Sequence, residues 1–162
     1  KNVIKLEDVF KDKLVLKRRI KKGEYRTDKD NKCLEVYFHY KIFDMKTGKL
    51  IYSSCPPTSK TYEFPEFNLE SCCKTHLDEP QYSRLLKKCI RQTDKNEINE
   101  FRVYDCKYLK YGADYQEVLK YSPSLEGLQL KYILIVYGVD EVLLLGYRPE
   151  SSRIMTDTIL TK

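Results

Sequence analysis

Residues 34–42, LEVYFHYKI, alternate without a break: Leu34, Val36, Phe38, Tyr40 and Ile42 fall on one side of an extended chain, and Glu35, Tyr37, His39 and Lys41 on the other. A sustained period of two predicts a half-buried antiparallel strand, with the apolar set on the core and His39 in solvent. Met45-Lys46-Thr47-Gly48 turns the chain, and Leu50 and Ile51 bring it back as a hairpin. Pairing ends at Cys55-Pro56-Pro57, because proline has no N–H to give a ladder.

Between Glu79 and Gln92 the period changes to 3.6. Tyr82, Leu85, Leu86, Cys89 and Ile90 form one apolar stripe, opposite Arg84, Lys87, Lys88 and Arg91. This is the one helix the pattern predicts, with Asp78 as its N-cap and Pro80 just inside. Leu14, Leu16 and Ile20 suggest an earlier strand, Phe101–Val103 a later one, and Leu128, Leu130, Tyr132, Leu134 and Val136 a long closing strand. The expected class is α+β: a twisted antiparallel β-sheet wrapped around one short α-helix.

The chain has 162 residues, 41% hydrophobic and 33% charged, enough for one domain with extensions. No apolar run approaches the ~20 residues that cross a bilayer, and no signal-peptide core opens the chain. A sequence that begins with Lys1 is expected to be cut from something longer. Six cysteines could make three disulfides, but Cys89 lies on the helix stripe, and Cys33 and Cys106 lie in or beside strand patterns. Reduced thiols in the cytoplasm or nucleus are therefore expected. Cys72-Cys73 with His76 lacks the spacing of a structural zinc site and reads as a solvent-facing loop; no metal or cofactor is expected.

The net charge of +6 is concentrated in Lys11, Lys13, Lys17, Arg18, Arg19, Lys21 and Lys22. Such a cluster can meet phosphates or an acidic partner. Its interleaving with apolar residues favours a strand with a charged outer face, and no nucleic-acid-binding motif accompanies it. Ser53 and Ser54 have no accompanying triad constellation.

LKRRIKKGEYRT, VYFHYKIFDMKTGKLIYSS, YEFPEFNL, LLKKCIRQTDKNE, KYLKYG and LQLKYILIVYGVDEV, in that order over residues 14–140, resemble the FKBP-type peptidyl-prolyl isomerases, or rotamases. The resemblance implies residues 13–140 as the domain, 1–12 as an N-terminal extension and 55–80 as an expanded loop region. Residues 141–162, with Ile154, Met155, Ile159 and Leu160, would be a linker or helix toward a further domain. It also implies a pocket.

Carried over by register, Tyr40 is a wall tyrosine and Tyr111 the tyrosine that hydrogen-bonds a substrate carbonyl. Ile51 and Tyr132 replace floor phenylalanines, and Leu86 replaces the tryptophan at the base. Two departures matter more. Tyr52 stands where the family has the aspartate of Phe-Asp-Ser-Ser, and Tyr82-Ser83 stands where it has Val-Ile at the mouth. A phenol in place of that carboxylate removes an acceptor charge and fills space.

Taken singly, Tyr40, Tyr111 and Tyr132 read equally well as packing residues among the chain's 14 tyrosines. The resemblance thus implies a degenerate FKBP-like domain of a larger immunophilin or co-chaperone. It would be a monomer with protein clients or chaperone partners, little or no isomerase activity and doubtful macrolide binding. The alternatives are an active isomerase with a remodelled pocket and a nucleic-acid-associated module using the basic strand.

Overall fold

The computed structural model describes residues 5–31 and 33–139; the expected linker or helix in the 141–162 tail lies outside them. Among the described residues seven strands and two helices follow in the order β1 (Glu7–Asp8), β2 (Val15–Lys21), β3 (Glu35–Asp44), β4 (Leu50–Ser53), β5 (Cys73–His76), α1 (Arg84–Arg91), β6 (Ile98–Val103), α2 (Ala113–Tyr121) and β7 (Leu130–Val139). The strands form one sheet of order β1-β2-β6-β7-β3-β4, and β5 shares with β4 the outer edge of β3. All ladder pairs are antiparallel. The class is α+β, as the sequence predicts.

The hairpin forms where Met45–Gly48 places it. Asp44 accepts the Lys46 N–H at 2.9 Å, and Gly48 takes a φ of 77°, a conformation that costs glycine nothing. Helix α1 starts later than the sequence suggests. Ser83, not Asp78, is its N-cap and accepts the Leu86 N–H, so Tyr82 precedes the helix instead of riding on it. Its C-terminal carbonyls are met by distant cations: Lys17 Nζ donates to Gln92 O at 2.6 Å, and the Arg26 guanidinium donates to the carbonyls of Ile90 and Thr93 at 3.0 Å. Cations at that end oppose the negative pole of the helix.

Helix α2 was not expected. Only Asp114 and Val118 of its nine residues are buried, so it carries almost no apolar stripe to read. Cys73–His76 is also a strand and not a solvent-facing loop. It pairs with Glu35–Phe38, and Cys72 beside it is buried. The six cysteines are free thiols.

The half-buried reading of β3 needs the largest correction. Val36, Phe38, Tyr40 and Ile42 do pack on α1, with Leu85, Leu86, Cys89 and Ile90 across from them. The other face is covered too. Residues 55–72 form a strap whose Tyr62, Phe64 and Phe67 lie over Tyr37, Ile98, Ile133, Ile135 and Tyr137. His39, expected in solvent, is 1% exposed, and Lys41 is 4% exposed. Strand β1 and Val9, within the segment set apart as an N-terminal extension, pair with β2 and enter the α1-side core.

Candidate functional site

The alternation of β3 aims Tyr40 into the space between the sheet and the start of α1. Four rings surround it: Tyr52 at 5.3 Å between centroids, Phe38 and Tyr82 each at 5.9 Å, and Tyr132 at 6.3 Å. The Tyr132 ring is nearly parallel to it; Leu134 stands opposite Tyr40 and Ile42 opposite Tyr132, so the two tyrosines are diagonal neighbours across the β3–β7 ladder. Tyr82 meets Tyr40 and Phe38 edge-on, a favoured aromatic geometry. Tyr40 is left 1% exposed.

The hydroxyls are also engaged. That of Tyr132 donates to Asp114 Oδ2 at 2.7 Å, while those of Tyr40 and Tyr82 face the Tyr52 phenol and the Cys73 thiol. Burial pushes the Tyr40, Tyr82 and Tyr132 phenols far up from their ordinary value, so all three stay neutral. Ile51 and Leu86 pack into the same cluster. Seven of the eight residues singled out from the sequence, counting Ser83 beneath them, therefore meet in one place.

Tyr111 stands apart from this cluster. It is 39% exposed, with the Lys87 ammonium 5.4 Å from its ring centroid. It helps to line a surface cleft of about 360 Å³ beside Arg84 and Lys87.

Asp114, which the sequence reading did not single out, holds the cluster together. It is fully buried and accepts the Ser83 N–H at 2.8 Å, the Ser83 hydroxyl at 2.5 Å and the Tyr132 hydroxyl. Burial nevertheless outweighs these donors and raises its pKa. The approach depends on Gly112, whose φ is 102° and where a Cβ would lie 2.5 Å from the Tyr82 carbonyl carbon. A short polar residue in the first turn of a helix after a glycine is the signal that would have found Asp114. It was invisible without α2.

The outer face holds charge. Lys41 Nζ donates to Thr58 Oγ1 at 2.8 Å and to the carbonyls of Thr61 and Glu63 at 3.0 and 2.8 Å, with the Phe64 ring 4.7 Å away. Glu100 is met by Arg102 at 2.8 Å, Arg18 at 3.3 Å, Lys131 at 3.9 Å and the Tyr62 hydroxyl. Burial alone would raise its pKa, but these donors hold it at about 2. Lys17 and Arg18 of the basic cluster are spent on partners within the molecule, and Arg19, which stays exposed, reaches Glu97 at 3.7 Å.

A sheet crossed on one face by a short helix, entered through a tyrosine pair and closed by a long last strand, has counterparts among solved structures. The three FKBP domains of wheat FKBP73 match with a TM-score of 0.51 and 16% identity, over 83% of this chain and 48% of that one. The fold is FKBP-like. The N-terminal domain of FKBP42 from Arabidopsis thaliana matches with a TM-score of 0.50 and 13% identity, over 86% of this chain and 95% of that one. The chain thus spans about half of the wheat protein chain and nearly all of the Arabidopsis domain. No protein-family model and no curated protein matches the sequence. Among the described residues no helix is long and apolar enough to cross a membrane, and no group of histidines, cysteines and carboxylates is placed to hold a metal. Tyr52 and Tyr82, two of the positions where the sequence is expected to depart from the family pattern, both place their rings against Tyr40.

Proposed function

We propose that this chain is a degenerate FKBP-like domain of a larger immunophilin, binding protein partners with little or no prolyl isomerase activity. In this reading residues 13–140 are the domain and 141–162 lead toward a further module. The observation that carries the proposal is the contact of Tyr52 and Tyr82 with Tyr40, which leaves that ring 1% exposed.

Rotation about an X-Pro bond faces a barrier of roughly 20 kcal/mol, set by the partial double bond of the imide. Lowering it requires no nucleophile. It requires a dry apolar cavity that encloses the twisted imide, and donors aimed at the displaced carbonyl. Here aromatic side chains take up the space around Tyr40, and the Tyr132 hydroxyl is already committed to Asp114. Free thiols throughout fit a reducing compartment, cytoplasm or nucleus.

The test is NMR exchange on a short X-Pro peptide, with a macrolide titrated into the same sample. The expected result is no acceleration and no macrolide shifts at Tyr40, Tyr52 or Tyr132. Acceleration together with shifts at those residues would establish an active isomerase with a remodelled pocket instead.

A further inference from the structure

The exposed side of α1 is cationic and partly preorganised. Arg84, Lys87, Lys88 and Arg91 recur at i, i+3, i+4 and i+7, one stripe along the helix. Phe10, ahead of β2, stacks on Tyr108 with centroids 3.7 Å apart, and Arg84 lies over both rings, 5.5 Å from Phe10 and 4.8 Å from Tyr108. Lys88 is 6.0 Å from the Phe10 ring, and Lys87 is 5.4 Å from that of Tyr111 while donating to Glu79 O at 2.9 Å. These rings hold the cations without neutralising them. Arg91 has a buried Nε with no hydrogen-bond partner, and Asp30 stands 3.8 Å off.

Two clefts of about 360 and 510 Å³ run along this stripe and share Phe10, Arg84 and Lys88 as lining residues. We infer that this groove is a docking site for an extended acidic segment of a partner protein, a deepening of the protein-binding reading that rests on it.

Spacing favours that occupant. Arg84 and Lys88 lie about 6 Å apart along the helix axis, close to the roughly 6.8 Å between alternate residues of an extended chain. Carboxylates at every second position can therefore meet successive cations. Nucleic acid fits less well. Asp78 lines the first cleft and Glu7 and Asp8 the second, so a continuous phosphate backbone would run against them, whereas a peptide can place uncharged side chains there.

The test uses a fluorescein-labelled peptide of alternating glutamate and serine, followed by anisotropy with the whole chain. Saturable binding that weakens with salt is expected, with amide shifts at Phe10, Tyr108 and along α1. Arg84→Glu with Lys88→Glu should weaken it roughly tenfold or more; Lys87→Glu alone should weaken it less. Thermal transitions verify that the variants remain folded. Absence of saturable binding, or binding indifferent to these reversals, overturns the assignment. Tighter binding of an oligothymidylate, with a steep salt slope, overturns it in favour of nucleic acid. The X-Pro exchange assay on the same samples separates the two readings. Catalysis there sinks the non-catalytic proposal while leaving the groove to stand or fall on the peptide.

Discussion

The two faces of the central sheet solve burial differently. On the α1 side neutral phenols and one buried carboxylate, Asp114, lie within a core of long-range apolar contacts, with the Arg26 guanidinium buried at the C-terminal end of the helix. On the other side charged groups are buried, each ringed by partners, and the cover is a strap with no strand of its own. A face closed by a helix is held by packing; a face closed by a strap is held by electrostatics and by a few aromatic anchors. The second arrangement should open locally while the first opens only with the whole domain.

The largest effect should come from the inner face. Tyr40→Ala removes the ring at the centre of the aromatic cluster and should cost about 3–5 kcal/mol in denaturant melts. A loss under about 1 kcal/mol would mean that the cluster is loosely packed and the comparison mistaken.

Acid sharpens the contrast, because the faces respond with opposite signs. Burial depresses His39, whose Nδ1 lies 2.8 Å from Ser54 Oγ, from 6.5 to about 4. The unfolded chain therefore takes up that proton first, and stability falls as pH drops from 6.5 to 4, by about 3 kcal/mol. The depressed Glu100 continues the loss as pH falls from 4.5 toward 2. Asp114 acts the other way. Its raised folded-state pKa favours the folded form as pH falls toward its ordinary 3.8. In urea titrations across this range, His39→Gln should flatten the decline above pH 4, and Asp114→Asn should steepen it. Unchanged profiles in both would remove the electrostatic half of the comparison.

Lys41→Met should cost about 1–3 kcal/mol by orphaning the strap carbonyls. Its clearer signature is faster amide exchange confined to the strap, and uniform acceleration across β3 and β7 would show that the strap does not open by itself. Lys17→Met, which removes only a cation from the α1 C-terminus, should cost about 0.5–1 kcal/mol.

Much of this was legible beforehand. The alternation of 34–42 and the stripe of 82–90 specified β3 and α1, because each carries its partner surface within its own period. Residue order along the chain then pointed to an FKBP-like arrangement. The register also brought Tyr40, Ile51, Tyr52, Tyr82, Ser83, Leu86 and Tyr132 to one place, while Tyr111, assigned by the same reasoning, lies in the cationic groove. Helix α2 was missed because an element that buries only Asp114 and Val118 leaves no pattern.

By itself the sequence determined β2, β3, β6 and β7, α1, the hairpin and the absence of a membrane-length apolar run, all of which follow from local periodicity and turn chemistry. Tertiary structure alone decided that β3 is buried on both faces, that His39 and Lys41 are interior, and that Asp114 anchors the tyrosines. Period two says which residues share a face, but not whether a distant segment covers it. Here the segment at 55–72 reaches back over the sheet, and a charge that looks exposed in the sequence becomes a buried one with its partners supplied from far along the chain.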